Sequence, residues 1–207
     1  MEALWPDEDP ARLSNRLSVA LSTVRTVLDP ERRHPSDRYV QADKHVVGLA
    51  QLPVDVEEFL AAAAAGLARF ARGAQAEALS LLAAAEAAFT GDFLEDDPYE
   101  DWAVTLREEA RAVYLAVART LARSAAKAGE HDLAVRYHLR VLERDAYDEE
   151  AHLGLVATLA AAGRHGEARR RYRIYGEQMG ELGVEAAPFP SAGRPRPSPQ
   201  DAAFSAP

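Results

Sequence analysis

The feature that most limits how this chain can fold is a repeat. Gly129-Glu130-His131-Asp132-Leu133-Ala134 recurs as Gly163-Arg164-His165-Gly166-Glu167-Ala168, an offset of 34 residues, and the same Gly-x4-Ala spacing appears from Gly73 to Ala78. A glycine lets one helix end in a left-handed cap, and the alanine five residues on lets the next helix approach it closely. Each such pair leaves an apolar face that only the next pair covers. A helix-turn-helix unit with this period is the tetratricopeptide repeat. The other reading, chance coincidence among alanine-rich helices, is the weaker one.

The rest of the chain divides around that region. Asp9-Pro10 reads as a cap followed by proline at the first helical position. Leu13, Leu17, Leu21, Val24 and Leu28 follow at helical spacing until Asp29-Pro30 stops the run. After a polar loop from Glu31 to Asp37, Arg38 to Gln41 and His45 to Leu49 read as a β-hairpin around Ala42-Asp43-Lys44. From Val54 the pattern is helical throughout. Asp97-Pro98-Tyr99-Glu100 has the form of a helix start, and that helix is expected to reach about Lys127 and end at Gly129. Ala186 to Pro207 holds six of the twelve prolines and reads as a disordered tail. The expected fold is all-α: a tetratricopeptide-like domain over 53–187, preceded by a partial winged helix over 1–52 and followed by a tail over 188–207.

Charge and composition exclude several functions. The chain has no cysteine, so disulfides, thiolate metal sites and cysteine nucleophiles are out. The acidic start MEALWPDEDP does not read as a signal peptide, and the apolar stretch Leu60 to Ala68 is too short to span a bilayer. A cytoplasmic protein without membrane contact is expected. Net charge is −9, yet Ala11 to Ala50 carries seven Arg/Lys against four Asp/Glu. A basic module on an acidic body suits DNA binding by one end only.

On a helical wheel, Leu13, Leu17, Ala20, Leu21, Val24, Val27 and Leu28 form one arc expected to be buried. Asn15, Val19, Ser22 and Thr26 lie opposite, flanked by Arg12, Arg16 and Thr23 on one side and Ser18 and Arg25 on the other. A short, polar, mildly basic face of this kind suits a major groove, with Asn15 or an arginine on base edges and Arg12, Arg16 and Arg25 on phosphates. In the hairpin, Arg38, Lys44 and His45 are placed to touch the backbone or minor groove. The alternative is an ordinary amphipathic surface helix beside a hairpin. So few cations release few counterions, so one copy alone binds weakly and repeated half-sites are needed.

The run Leu4-Trp5-Pro6-Asp7, then Asn15 to Leu28, then Arg38-Tyr39-Val40, resembles the last part of an OmpR/PhoB-type winged helix, in the version found in Streptomyces antibiotic regulatory proteins. From Val54-Asp55-Val56 onward the chain resembles the bacterial transcriptional activator domain of that family. The resemblance runs through Phe59, Gly91-Asp92-Phe93-Leu94, Trp102, Arg107, Tyr114, Ala134, Asp145, Glu150, His152, Gly163, Ala168, Tyr172 and Leu182-Gly183-Val184. It implies a regulator, an activator by expectation, that binds double-stranded promoter DNA and engages RNA polymerase or itself as a homo-oligomer. That family's winged helix starts with a small sheet and two helices, of which this chain carries only the end. The winged helix is thus expected to be partial, either because the true start lies upstream or because this is a truncated paralogue. Ser22, Thr23 and Thr26 stand where such helices are often basic, so fewer phosphate contacts are expected. The competing reading is an interaction scaffold that has lost DNA binding.

Other candidates read as structure. The histidines 34, 45, 131, 138, 152 and 165 form no metal-ligand pair, so solvated or capping roles are the default and His152 is structural. Glu95-Asp96-Asp97 and Glu149-Glu150 read as acids at helix starts rather than catalytic pairs. No phosphate-binding glycine loop or activated nucleophile is visible, and no cofactor, metal or enzymatic activity is expected. Arg164, Arg169, Arg170, Arg171 and Arg173 read as a solvated helix face, or more sharply as a contact surface for RNA polymerase or DNA backbone. Tyr99 and Trp102 read as core rather than as a ligand cage, and Tyr172 and Tyr175 as packing between helices.

Overall fold

A computed structural model describes residues 10–43, 46–50 and 52–190, with the backbone alone for 10–13. The chain divides into two compact units, Met1–Val54 and Asp55–Pro207.

In the first unit, α1 spans Pro10–Leu28, so proline takes the first helical position as its fixed φ favours. Asp9 lies outside the described residues. Strands β1, Val40–Ala42, and β2, Val47–Leu49, pair antiparallel with Val40 opposite Leu49. Asp43 steadies their turn by accepting the Val46 N–H at 2.8 Å. Lys44 and His45 lie outside the described residues.

The second unit is a stack of helical hairpins: α2 (Asp55–Ala71) with α3 (Gln75–Ala88), α4 (Asp101–Ala128) with α5 (His131–Arg144), and α6 (Glu149–Ala161) with α7 (His165–Glu181). α4 packs on α2, α3 and α5, and α5 packs on α6. The two matched turns have the conformation that the repeat requires. Gly129 and Gly163 have φ of 78° and 74°. Past them, Glu130 N–H donates to Ala125 O at 2.9 Å, and Arg164 N–H to Leu159 O at 2.8 Å. These bonds satisfy carbonyls that a helix end otherwise leaves open. Ala78, Ala134 and Ala168 are completely buried, as close helix approach demands. Leu82, Val117, Val141, Leu155 and Val156 fill the layers between helices. Burying each contributes roughly 1.5–3 kcal/mol. Tyr175 is fully buried, its hydroxyl donating to Glu149 Oε1 at 2.8 Å, and Tyr172 packs beside it. Both therefore join helices as expected. Beyond α7, Tyr172 also donates to Ala187 O and meets the Phe189 ring edge-on at 5.1 Å. Residues 191–207, most of the expected tail, lie outside the described residues.

Five expectations need correction. α4 begins at Asp101, not at Pro98. The Arg107 guanidinium donates to the carbonyls of Phe93, Leu94, Asp97 and Pro98 at 2.8–3.3 Å. Those carbonyls are thereby held in a turn, so Glu95-Asp96-Asp97 do not sit at a helix start. Glu149 and Glu150 do occupy the first turn of α6, whose cap is the buried Asp148. Tyr99 and Trp102 are not core: they are 94% and 69% exposed. Tyr99 follows that turn, and Trp102 stands in the first turn of α4, where its Nε1 donates to Glu100 Oε2 at 2.8 Å. His138 is buried rather than solvated, and His152 is buried as well, in keeping with the structural role expected of it. His152 Nε2 lies 2.9 Å from Ala146 O, a structural role. Burial pushes the His138 imidazole down to about 4, so it is neutral at pH 7. In the first unit, Val24, Val27 and Leu28 are exposed although the wheel places them in the buried arc. Among the described residues, strands three residues long bury one apolar side chain there, Val40, too little to cover the whole arc.

His138 sets up a packing test. A Cβ on Gly154 would stand 2.3 Å from His138 Cε1. Alanine normally gains about 1 kcal/mol over glycine inside a helix. Here overpacking, about 1–3 kcal/mol, opposes that gain. Gly154→Ala is expected to lower stability by about 1–2 kcal/mol in urea unfolding, and adding His138→Ala restores much of the loss. A stabilised Gly154→Ala protein would contradict this packing.

Candidate nucleic-acid interface

Among the described residues, Asn15, Arg16, Val19, Ser22, Thr23 and Thr26 are all exposed along α1, and Arg38 is exposed ahead of β1. The helical period of 3.6 keeps them on neighbouring turns of one face. Leu17, Ala20 and Leu21 are half-buried on the other side. The Arg12 side chain and all of Lys44 and His45 lie outside the described residues.

The chemistry of this face is narrower than its composition suggests. Thr23 Oγ1 donates to Val19 O at 3.1 Å and Thr26 Oγ1 to Ser22 O at 2.9 Å. Their protons are used within the helix, so outward these hydroxyls act as acceptors and methyl surfaces. Ser18, on the flank, does the same toward Ser14 O. Arg25 is half-buried, and its Nη2 donates to Val40 O at 3.1 Å. That bond ties α1 to the hairpin, a role the wheel could not assign. Arg38 stacks its guanidinium 5.6 Å from the Tyr39 ring centroid.

The loop that joins α1 to β1 was not singled out from sequence, yet it borders this face. Asp29 accepts the backbone N–H groups of Arg33 and His34 at 3.0 and 2.8 Å. Those two bonds hold its carboxyl below the usual carboxylate range, so it stays ionised. Arg33 pairs with Glu31, and Arg32 is held at φ +52°. The visible signal was the charge run Arg32-Arg33-His34; its return toward Arg25 depends on the turn.

On α7, Arg164 is engaged by Glu167 at 2.8 Å and Asp132 at 3.2 Å, while Arg169, Arg170 and Arg173 are exposed. Among the described residues no cluster of three His, Asp or Glu is arranged to hold a metal ion. No helix of the described residues is long and apolar enough to cross a membrane.

Comparison with known proteins adds the family. The family description "Bacterial transcriptional activator domain" matches residues 54–189. No curated protein matches. Among solved structures, Mycobacterium tuberculosis EmbR in complex with a low-affinity phosphopeptide superposes with a TM-score of 0.61 at 22% identity. That match covers 91% of this chain and 50% of EmbR, so the chain spans half the length of that relative. The C-terminal TPR-containing domain of a Plasmodium falciparum protein described as FK506-binding gives 0.48 at 17% identity, covering 59% of this chain and 78% of that one. The EmbR superposition supports the helical fold, and the family match bears out the resemblance read from Val54 onward. Matched over most of its length, the chain belongs to the bacterial transcriptional activator domain family, a family of transcription regulators.

Proposed function

We propose that this protein is a DNA-binding transcription activator whose α1 docks in the major groove of repeated double-stranded promoter elements. The observation that carries the reading is the exposed strip Asn15, Val19, Ser22, Thr23 and Thr26, directly ahead of a hairpin, in a chain of this regulator family. Asn15 suits adenine, whose N6 and N7 it bonds in a bidentate pair. The hydroxyls of Thr23 and Thr26 accept from exocyclic amines, and Val19 with the threonine methyls packs on thymine methyl groups. Arg12, Arg16, Arg38 and Lys44 neutralise phosphates, with the hairpin as wing. The helical unit engages RNA polymerase or a second copy of the chain, which raises polymerase concentration at the promoter.

The test is retention of genomic fragments by the full chain across a salt series. Specific fragments are expected at low salt, with a shallow decline because the cations are few. Asn15→Ala with Arg16→Ala is expected to weaken retention by at least about tenfold, the loss of one good base contact. A second reading is a protein-interaction scaffold that has lost autonomous DNA binding and acts through its helical repeats, favoured by the stacked hairpins α2 to α7. No retention at any salt would select it.

A further inference from the structure

A cavity of about 370 Å³ lies between the C-terminal half of α1 and the loop that follows it. Its lining is rich in donors: Arg25, Arg32, His34, Ser22, Ser36 and Tyr39. Arg25 gives one guanidinium nitrogen to Val40 O, while its Nε is shut off from solvent with no hydrogen-bond partner. Arg32 is exposed and held in the left-handed region at φ +52°, which a non-glycine residue adopts only where its surroundings enforce it. The surroundings here are Asp29, which accepts both following N–H groups, and Arg32 N–H, which donates to Asp29 O at 3.0 Å. Asp29 also lines the cavity and opposes an anion, but two backbone dipoles already engage its carboxylate.

We propose that this cavity is a seat for a phosphate group, gripped by Arg25 and Arg32 with His34 and Tyr39 at its edge. Arginine forks suit phosphate oxygens. The phosphate belongs either to the duplex backbone or to a free phosphorylated molecule. The duplex source rests on the DNA reading above, because Ser22 is shared between the cavity and the exposed face of α1; the free source does not.

The test has two arms on the full chain. In the first, inorganic phosphate is titrated at constant ionic strength while backbone amide resonances are followed. The amides of Arg32, Arg33 and His34 are expected to shift and saturate. Arg32→Gly removes the guanidinium while glycine keeps the positive φ without strain, so the loop stays folded. It is expected to weaken phosphate binding about tenfold, the loss of a charge-assisted pair. In the second arm, Arg32→Gly is compared with the unaltered chain for salt dependence of fragment retention. A slope smaller by about one identifies a duplex phosphate. Saturable phosphate binding with an unchanged slope identifies a free phosphorylated ligand. If phosphate does not bind and the slope is unchanged, the seat is overturned. Loss of retention in the Asn15→Ala, Arg16→Ala protein would still leave the DNA reading standing in that case.

Discussion

Arg140→Met is expected to destabilise the helical unit by about 3 kcal/mol, read as a lower urea midpoint. Glu86 on α3 is 4% exposed, and its carboxylate pairs with the Arg140 guanidinium on α5. Its other partner is Tyr114 on α4, whose hydroxyl donates to Glu86 Oε1 at 3.3 Å. Burial first and the Glu86 charge second push that phenol up to about 12, so at neutral pH it is an un-ionised donor. Without Arg140, a buried carboxylate keeps one neutral partner, and an uncompensated buried charge costs several kcal/mol. Arg140 itself reaches solvent, which puts the loss at the lower end of the range for buried pairs. Replacing both members, Glu86→Met with Arg140→Met, is expected to recover most of the loss, because the stranded charge is gone. Equal losses in the single and double variants would show that packing, not charge, holds these three helices.

Arg107→Ala is the second large effect, expected at about 2–3 kcal/mol. One guanidinium satisfies four backbone carbonyls between Phe93 and Pro98. A single hydrogen bond from a charged donor contributes about 1.5–3 kcal/mol when shielded. These four share one side chain and stand partly in solvent, so their contributions do not add. Lysine is expected to restore little, since a point charge cannot span four acceptors as the planar fork does. The local readout is amide hydrogen exchange, which is expected to quicken from Leu94 through Ala103 while α6 and α7 are unaffected. Uniform quickening across all helices would mean that the turn is not a separate element.

What the sequence made legible was local. A glycine at a helix end and an alanine at its neighbour's start are short-range requirements, so Gly129, Gly163, Ala134 and Ala168 read correctly. Helical period likewise placed Asn15, Val19, Ser22, Thr23 and Thr26 on one exposed face. Misreadings arose where a distant side chain decided the outcome. Asp97-Pro98 has the composition of a helix start, but Arg107, nine or more residues on, holds those carbonyls in a turn, and α4 begins only at Asp101. His138 looked like an ordinary polar residue; its burial follows from Gly154, whose missing side chain leaves room for the ring. That Arg25 also ties α1 to the hairpin was not legible either, since the Val40 carbonyl that takes its Nη2 lies fifteen residues on. The wheel over-extended the buried arc because it counts apolar residues without knowing how much surface a short hairpin offers them.

Protection of guanine N7 from methylation, on a fragment retained by the full chain, tests most directly whether α1 occupies a major groove. The expected pattern is protection at repeated elements about one helical turn apart, where N7 faces the major groove. It is expected to disappear with Asn15→Ala and Arg16→Ala while the fold is kept. Unprotected N7 positions on a fragment that is still retained would contradict major-groove docking of α1.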